Sequence, residues 1–86
     1  MEIVFTDNFN KKYKKLSNGL KAKIDGVLER FVKDPFGASL LNHGLQGRLK
    51  GFRSIKAGID LRIIFKEEKG YAVVLIIDLG KHDDVY

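Results

Sequence analysis

The period of the hydrophobic pattern changes at Asp34-Pro35, and this limits the fold more than any other feature. Before that point, apolar residues recur at helical spacing. Phe9, Tyr13, Leu16 and Leu20 form one stripe, and Leu20, Ile24, Val27, Leu28 and Phe31 form a second. Ser17-Asn18-Gly19 breaks the two apart, and Thr6-Asp7-Asn8 offers caps for the first helix. Asp34 is pushed out of the helical region by the proline that follows it. After that point the pattern is that of strands. Phe52–Lys56 reads as one, Ala57-Gly58-Ile59-Asp60 as a turn, Leu61–Lys66 as a second strand and Glu67–Gly70 as another turn. Tyr71–Leu79 is apolar at nearly every position, which marks a central strand covered on both faces. Gly80 is read as its end, and Lys81–Tyr86 as a short polar tail.

Ile3-Val4-Phe5 adds a strand before the helices, and one more short strand is expected around Arg48 in the Gly- and Leu-rich stretch from Gly37 to Gly51. The order is therefore βααβββ(β). The fold class is α+β, with two N-terminal helices packed on one face of a twisted antiparallel sheet. With 86 residues there is room for one domain, residues 1–86, burying about 60% of its unfolded surface. No cysteine is present, so thiolate metal sites, disulfides and thiol nucleophiles are excluded. Neither a signal peptide nor an apolar run approaching about 20 residues is seen, so the expected compartment is the cytoplasm and no membrane is expected.

Sixteen Lys and Arg against eleven Asp and Glu give +5, and twelve of the sixteen are lysines. A basic surface on so small a body suits nucleic acid or an acidic protein, although solubility alone also explains such a charge. Alternation along the strands places Ser54 and Lys56 on one side and Arg53 and Ile55 on the other. In the next strand Leu61, Ile63 and Phe65 suit the core, and Arg62, Ile64 and Lys66 face away. Whether Lys56 and Arg62 share a face depends on the loop between them, and the sequence leaves this open. His43, Lys56, Arg62 and His82, with Asp60 and Tyr86 nearby, form a basic and imidazole set. Such a set suits cleavage of RNA by its own 2′-hydroxyl: the reaction needs a base, an acid for the leaving 5′-oxygen, and cations for the charge that builds on phosphorus. The plainer readings are that Arg62 pairs with Asp78 and that Tyr86 is an ordered tail.

The segment Leu41-Asn42-His43-Gly44-Leu45-Gln46-Gly47-Arg48-Leu49-Lys50-Gly51-Phe52-Arg53-Ser54, the run Asp60-Leu61-Arg62-Ile63-Ile64-Phe65 and the ending Leu79-Gly80-Lys81-His82-Asp83-Asp84-Val85-Tyr86 resemble the RelE/ParE superfamily of bacterial toxins. The nearest branch is that of the YafQ-like and RelE/StbE-like mRNA interferases. The resemblance implies a toxin of a type II toxin–antitoxin system, a metal-independent endoribonuclease without cofactors that cleaves mRNA on the ribosome. Its partners would be the ribosome, mRNA and a cognate antitoxin. Carried over position by position, it implies catalytic roles for His82, Arg62, His43, Lys56 and Asp60. Tyr86 falls where the family stacks an aromatic on a base, and Lys50, Arg53 and Lys81 are expected to contact RNA. The sequence departs from the YafQ-like pattern at Lys56, where that branch has a histidine, and at Leu61, where it has an aromatic. A ParE-like gyrase poison and a catalytically decayed antitoxin-binding module are the alternatives on the same fold.

Overall fold

The computed structural model describes residues 1–86, the side chain of Asp84 excepted. Strand β1 (Glu2–Phe5) leads into α1 (Asp7–Lys14) and α2 (Asn18–Lys33). Thr6 and Ser17 cap the two helices, each hydroxyl accepting a hydrogen bond from the backbone N–H three residues on, at 3.2 Å. The helical break expected at Ser17-Asn18-Gly19 therefore falls earlier, on Lys15, Leu16 and Ser17, and Asn18 and Gly19 already belong to α2. Leu20, counted in both sequence stripes, is left exposed on the first turn of α2. Asp34 ends α2, its carboxylate accepting from the Phe36 N–H across Pro35.

The rest of the chain builds β2 (His43–Gly44), β3 (Arg53–Lys56), β4 (Leu61–Glu68), β5 (Val73–Lys81) and the single turn α3 (His82–Val85). The sheet order is β1-β5-β4-β3-β2, so β5 is internal, as its unbroken apolar run requires. The sheet is antiparallel from β2 to β5, but β1 joins β5 in parallel, pairing Glu2 with Val73 and Phe5 with Ile76. This makes the sheet mixed where a wholly antiparallel one was expected. The direction of β1 is fixed by a contact about 70 residues away, where the Thr6 hydroxyl and the Asn8 amide both donate to the Ile77 carbonyl at 3.0 Å. Ile77 is the extra residue of a bulge in β5, since Ile64 pairs with Asp78 and Phe65 with Ile76. Its carbonyl is thus satisfied by the start of α1.

The short extra strand lies at His43–Gly44, and the Arg48 region forms a 3₁₀ turn, Gly47–Leu49. Gly47 and Gly51 bracket that turn with φ of +67° and +97°, which turns the backbone away from extended pairing and demands glycine. Strand β5 begins two residues later than the sequence suggests, because Tyr71 has φ of +72° in the preceding turn. It runs on through Gly80, whose missing side chain leaves β-pairing to Arg62 undisturbed. The tail is not merely polar: α3 packs on β4 and β5, and Val85 is buried.

The core lies between the two helices and the sheet, built from Phe9, Ile24, Val27, Phe31, Leu40, Ile55, Ile63, Phe65, Val74, Ile76 and Leu79. Phe31 and Phe65 meet edge to face at 4.9 Å, a contact worth about 0.5–1.5 kcal/mol beyond area burial. Ile64 and Val85 are buried outside this cluster, on the face away from the helices. That face is partly covered by α3.

Candidate active site

The register of the sheet answers the question that the loop left open. Lys56 pairs directly with Arg62, Ser54 with Ile64, and His43 with Ser54. Arg62 pairs in turn with Gly80, and Ile64 with Asp78. Paired residues share a face, so His43, Ser54, Ile64 and Asp78 form one row on the side away from α2, and Lys56, Arg62 and Gly80 form the next. Opposite Cβ atoms in such rows lie about 4.5–5.5 Å apart, close enough for long side chains to meet a common ligand.

Two residues beyond Gly80 the chain turns into α3 and brings its end back over this face. The Tyr86 hydroxyl donates to Ser54 Oγ, and Ser54 is fully buried. The His82 ring stands edge-on to the Tyr86 ring, centroids 4.3 Å apart. Register thus puts His43, Lys56 and Arg62 on one face, and Tyr86, with His82 against its ring, reaches that face at Ser54, while Lys56 also borders a groove with Lys23 and Arg30 of α2. The alternative pairing of Arg62 with Asp78 does not occur. Asp78 is taken by Lys12 of α1 at 2.6 Å, and among the described residues the Arg62 guanidinium donates only to the neighbouring Leu61 carbonyl, at 3.0 Å. Most of its donor fork is left for a ligand.

His43 Nδ1 lies 2.8 Å from the Leu41 carbonyl oxygen. A carbonyl only accepts, so Nδ1 carries the hydrogen, and in the neutral ring Nε2 keeps its lone pair. Leu41 itself adopts left-handed backbone, φ +49°, an unfavourable state for leucine that turns its carbonyl toward the imidazole. His82 Nδ1 faces Asp83 at 3.5 Å. Both imidazoles are exposed.

Two other expected residues, Arg53 and Lys81, belong to the opposite face. Arg53 shares the face of Phe65, its Nε donating to Asn42 Oδ1 at 2.8 Å and its guanidinium lying over the Phe36 ring at 5.8 Å. Lys81 pairs with Leu61, one residue out of phase with the Gly80–Arg62 pair, and so belongs to the opposite face. Asp60 is exposed in the β3–β4 turn, and Lys50 is exposed at the end of the 3₁₀ turn. Two residues that sequence reasoning missed are Ser54 and Arg48. Arg48 Nη2 donates to the main-chain oxygen of Tyr86 at 2.7 Å. Nothing local marks either one, because both partners lie more than thirty residues away.

This fold is the one shared by toxins of the RelE/ParE superfamily. It superposes with a TM-score of 0.79 on a YoeB/ParE toxin from Agrobacterium tumefaciens, 18% identical, covering 95% of this chain and 99% of that one. With YafQ from E. coli the TM-score is 0.78 at 19% identity, covering 99% and 97%. With the toxin in an E. coli DinJ-YafQ complex it is 0.70 at 22%, again covering 99% and 97%. The model of the YafQ family, bacterial toxins of type II toxin-antitoxin systems, matches residues 1–86, and the chain belongs to that family. No curated protein sequence matches it.

Proposed function

We propose that this toxin is an endoribonuclease that cleaves mRNA on the ribosome. The observation that carries this reading is the cross-strand pairing of Lys56 with Arg62, one row from His43 and Ser54, with Tyr86 bound to Ser54 and His82 against the Tyr86 ring. The scissile phosphate lies over Arg62 and Lys56, whose cations stabilise the charge that builds on the phosphoryl oxygens. His43 Nε2 takes the proton from the 2′-hydroxyl, and the 2′-oxygen attacks the adjacent phosphorus. His82 gives a proton to the 5′-oxygen as the P–O5′ bond breaks. The products are a 2′,3′-cyclic phosphate and a 5′-hydroxyl end. Tyr86 offers its ring to a neighbouring base, a contact worth about 1–3 kcal/mol. The ribosome holds the mRNA in line for attack, a contribution an exposed, shallow site does not make alone. Asp60, in the turn that joins Lys56 to Arg62, and Lys50, at the end of the 3₁₀ turn, are exposed, Lys50 adding charge for the RNA backbone, while Arg53 and Lys81 belong to the opposite face of the sheet.

A cognate antitoxin belongs to the same proposal. A DinJ-YafQ complex and a RelBE2 toxin-antitoxin complex from Mycobacterium tuberculosis are among the structural neighbours. The +5 charge suits an acidic segment that folds on contact. A groove beside the β1 edge, lined by Ile3, Phe5, Leu28 and Val32 and bordered by Asp25, Glu29 and Lys33, offers apolar surface to the apolar side of such a segment, its acidic side being left to the basic surface elsewhere.

The test is the mapping of 5′ ends on translated mRNA after expression of wild type, Arg62→Ala and His82→Ala. Discrete new ends with wild type, lost in both variants, are expected. Intact mRNA with wild type, or cleavage undiminished in both variants, rejects the mechanism.

A further inference from the structure

Tyr86 is held at two points. Its hydroxyl is tied to Ser54, the one fully buried polar side chain among the described residues, and its main-chain oxygen to Arg48. These bonds reach 32 and 38 residues back along the chain, to β3 and to the 3₁₀ turn. His82 has no such anchor. Among the described residues the polar neighbour of its ring is Asp83, 3.5 Å away on the same turn, and its other contact is the edge-on Tyr86 ring. A helix of four residues, closed by the Tyr86 N–H donating to the His82 carbonyl at 3.0 Å, does not hold itself in water. Buried Val85 holds the turn on β4 and β5, and the ring that the His82 imidazole itself touches is that of Tyr86, so the position of that ring bears on where the imidazole points.

We infer that Arg48 and Ser54 are positioning residues, a two-point latch on Tyr86 that aims the His82 imidazole at the phosphate held over Lys56 and Arg62. The latch rests on the cleavage reading only for what His82 is aimed at. Each half has its own chemistry. Arg48 is exposed, and its planar fork donates to the Tyr86 main-chain oxygen, which a lysine ammonium does less directionally. Ser54 faces the one direction on β3 that is covered by the returning tail. There its hydroxyl leaves no buried polar atom without a partner.

The chain has two histidines, so its imidazole Hε1 protons give two nuclear magnetic resonance signals, and His43→Ala assigns the one from His82. Arg48→Ala, Arg48→Lys and Ser54→Ala are compared with wild type by this signal, by melting temperature and by single-turnover cleavage of ribosome-bound mRNA. In Arg48→Ala the melting temperature stays near that of wild type. The His82 signal moves away from its Tyr86-shielded position, and kcat falls about tenfold with KM nearly unchanged, as expected when a group is misplaced by a fraction of an ångström. Arg48→Lys recovers part of both losses, and Ser54→Ala moves both in the same direction. An unmoved His82 signal in Arg48→Ala and Ser54→Ala overturns the inference, and so does a moved signal with kcat unchanged. If Ser54→Ala fails to fold, Arg48→Ala alone decides. If wild type cuts no translated mRNA, the cleavage reading falls by itself. The His82 signal then decides the latch: displaced in the variants it stands, unmoved it is overturned.

Discussion

Replacing Lys12 with methionine removes the cation that holds Asp78 away from Arg62. Lys12 Nζ lies 2.6 Å from Asp78 Oδ1, which also accepts from the Leu79 N–H at 2.8 Å. The two side chains are 38% and 23% exposed, so the pair is neither fully solvated nor dry. A hydrogen bond to a charged group contributes about 1.5–3 kcal/mol, and an exposed ion pair about 0–1. Partial screening puts this pair at about 1–2 kcal/mol. In a domain of this size each kcal/mol moves the melting temperature by about 4–8 °C, so Lys12→Met should lower it by roughly 5–15 °C. The freed carboxylate is then a diagonal cross-strand neighbour of Arg62, about 7–8 Å away between backbones and within reach of an arginine. Cleavage should fall, although Lys12 touches no substrate. Adding Asp78→Asn removes the competing charge and should restore cleavage. The assay is a double-mutant cycle on these two positions, by thermal denaturation and by cleavage of translated mRNA. A coupling below about 0.3 kcal/mol would refute the energetic argument. Equal cleavage in Lys12→Met and in the double variant would refute the claim that Lys12 protects Arg62.

Gly26→Ala should stabilise the fold by about 0.5–1 kcal/mol, read as a rise in melting temperature. Position 26 is inside α2, and an added Cβ would meet only Arg30 Nη1, at 3.9 Å. Phe31→Ala should cost about 3–5 kcal/mol, close to the whole stability of an 86-residue domain, and urea denaturation should find it largely unfolded. Tyr13 donates to Asp25 Oδ1 at 2.7 Å, and this hydrogen bond, with lesser help from desolvation and the carboxylate charge, raises its pKa above the usual 10.0. The link between α1 and α2 is thus intact below pH 10 and is lost as pH rises through the raised value. Absorbance titration should show one late-ionising tyrosine that returns to the ordinary range in Asp25→Asn.

The local parts of this fold are legible in the sequence because their causes are local. Thr6 and Ser17 satisfy the first free N–H groups of their own helices, Pro35 restricts Asp34, and the stripe ending at Phe31 follows from 3.6 residues per turn. The alternation that set Ser54 and Lys56 opposite Ile55, and Arg62 opposite Ile63, needs only a period of two. His43, Arg62, His82 and Tyr86 could be singled out because their residue types and the spacing of Gly47, Lys50 and Gly51 resemble a toxin family. The structure decided what depends on register and return. Only pairing shows that Lys56 stands opposite Arg62 rather than behind it, and that β1 runs parallel to a strand about 70 residues away. Only the folded chain brings Lys12 to Asp78, Arg48 and Ser54 to Tyr86, and Arg53 to the wrong face for the patch. Helix caps and periodicity act within a few residues, so the sequence carries them openly. A register shift of one residue would turn every side chain of a strand to the other face, and what prevents it is the packing of the whole core.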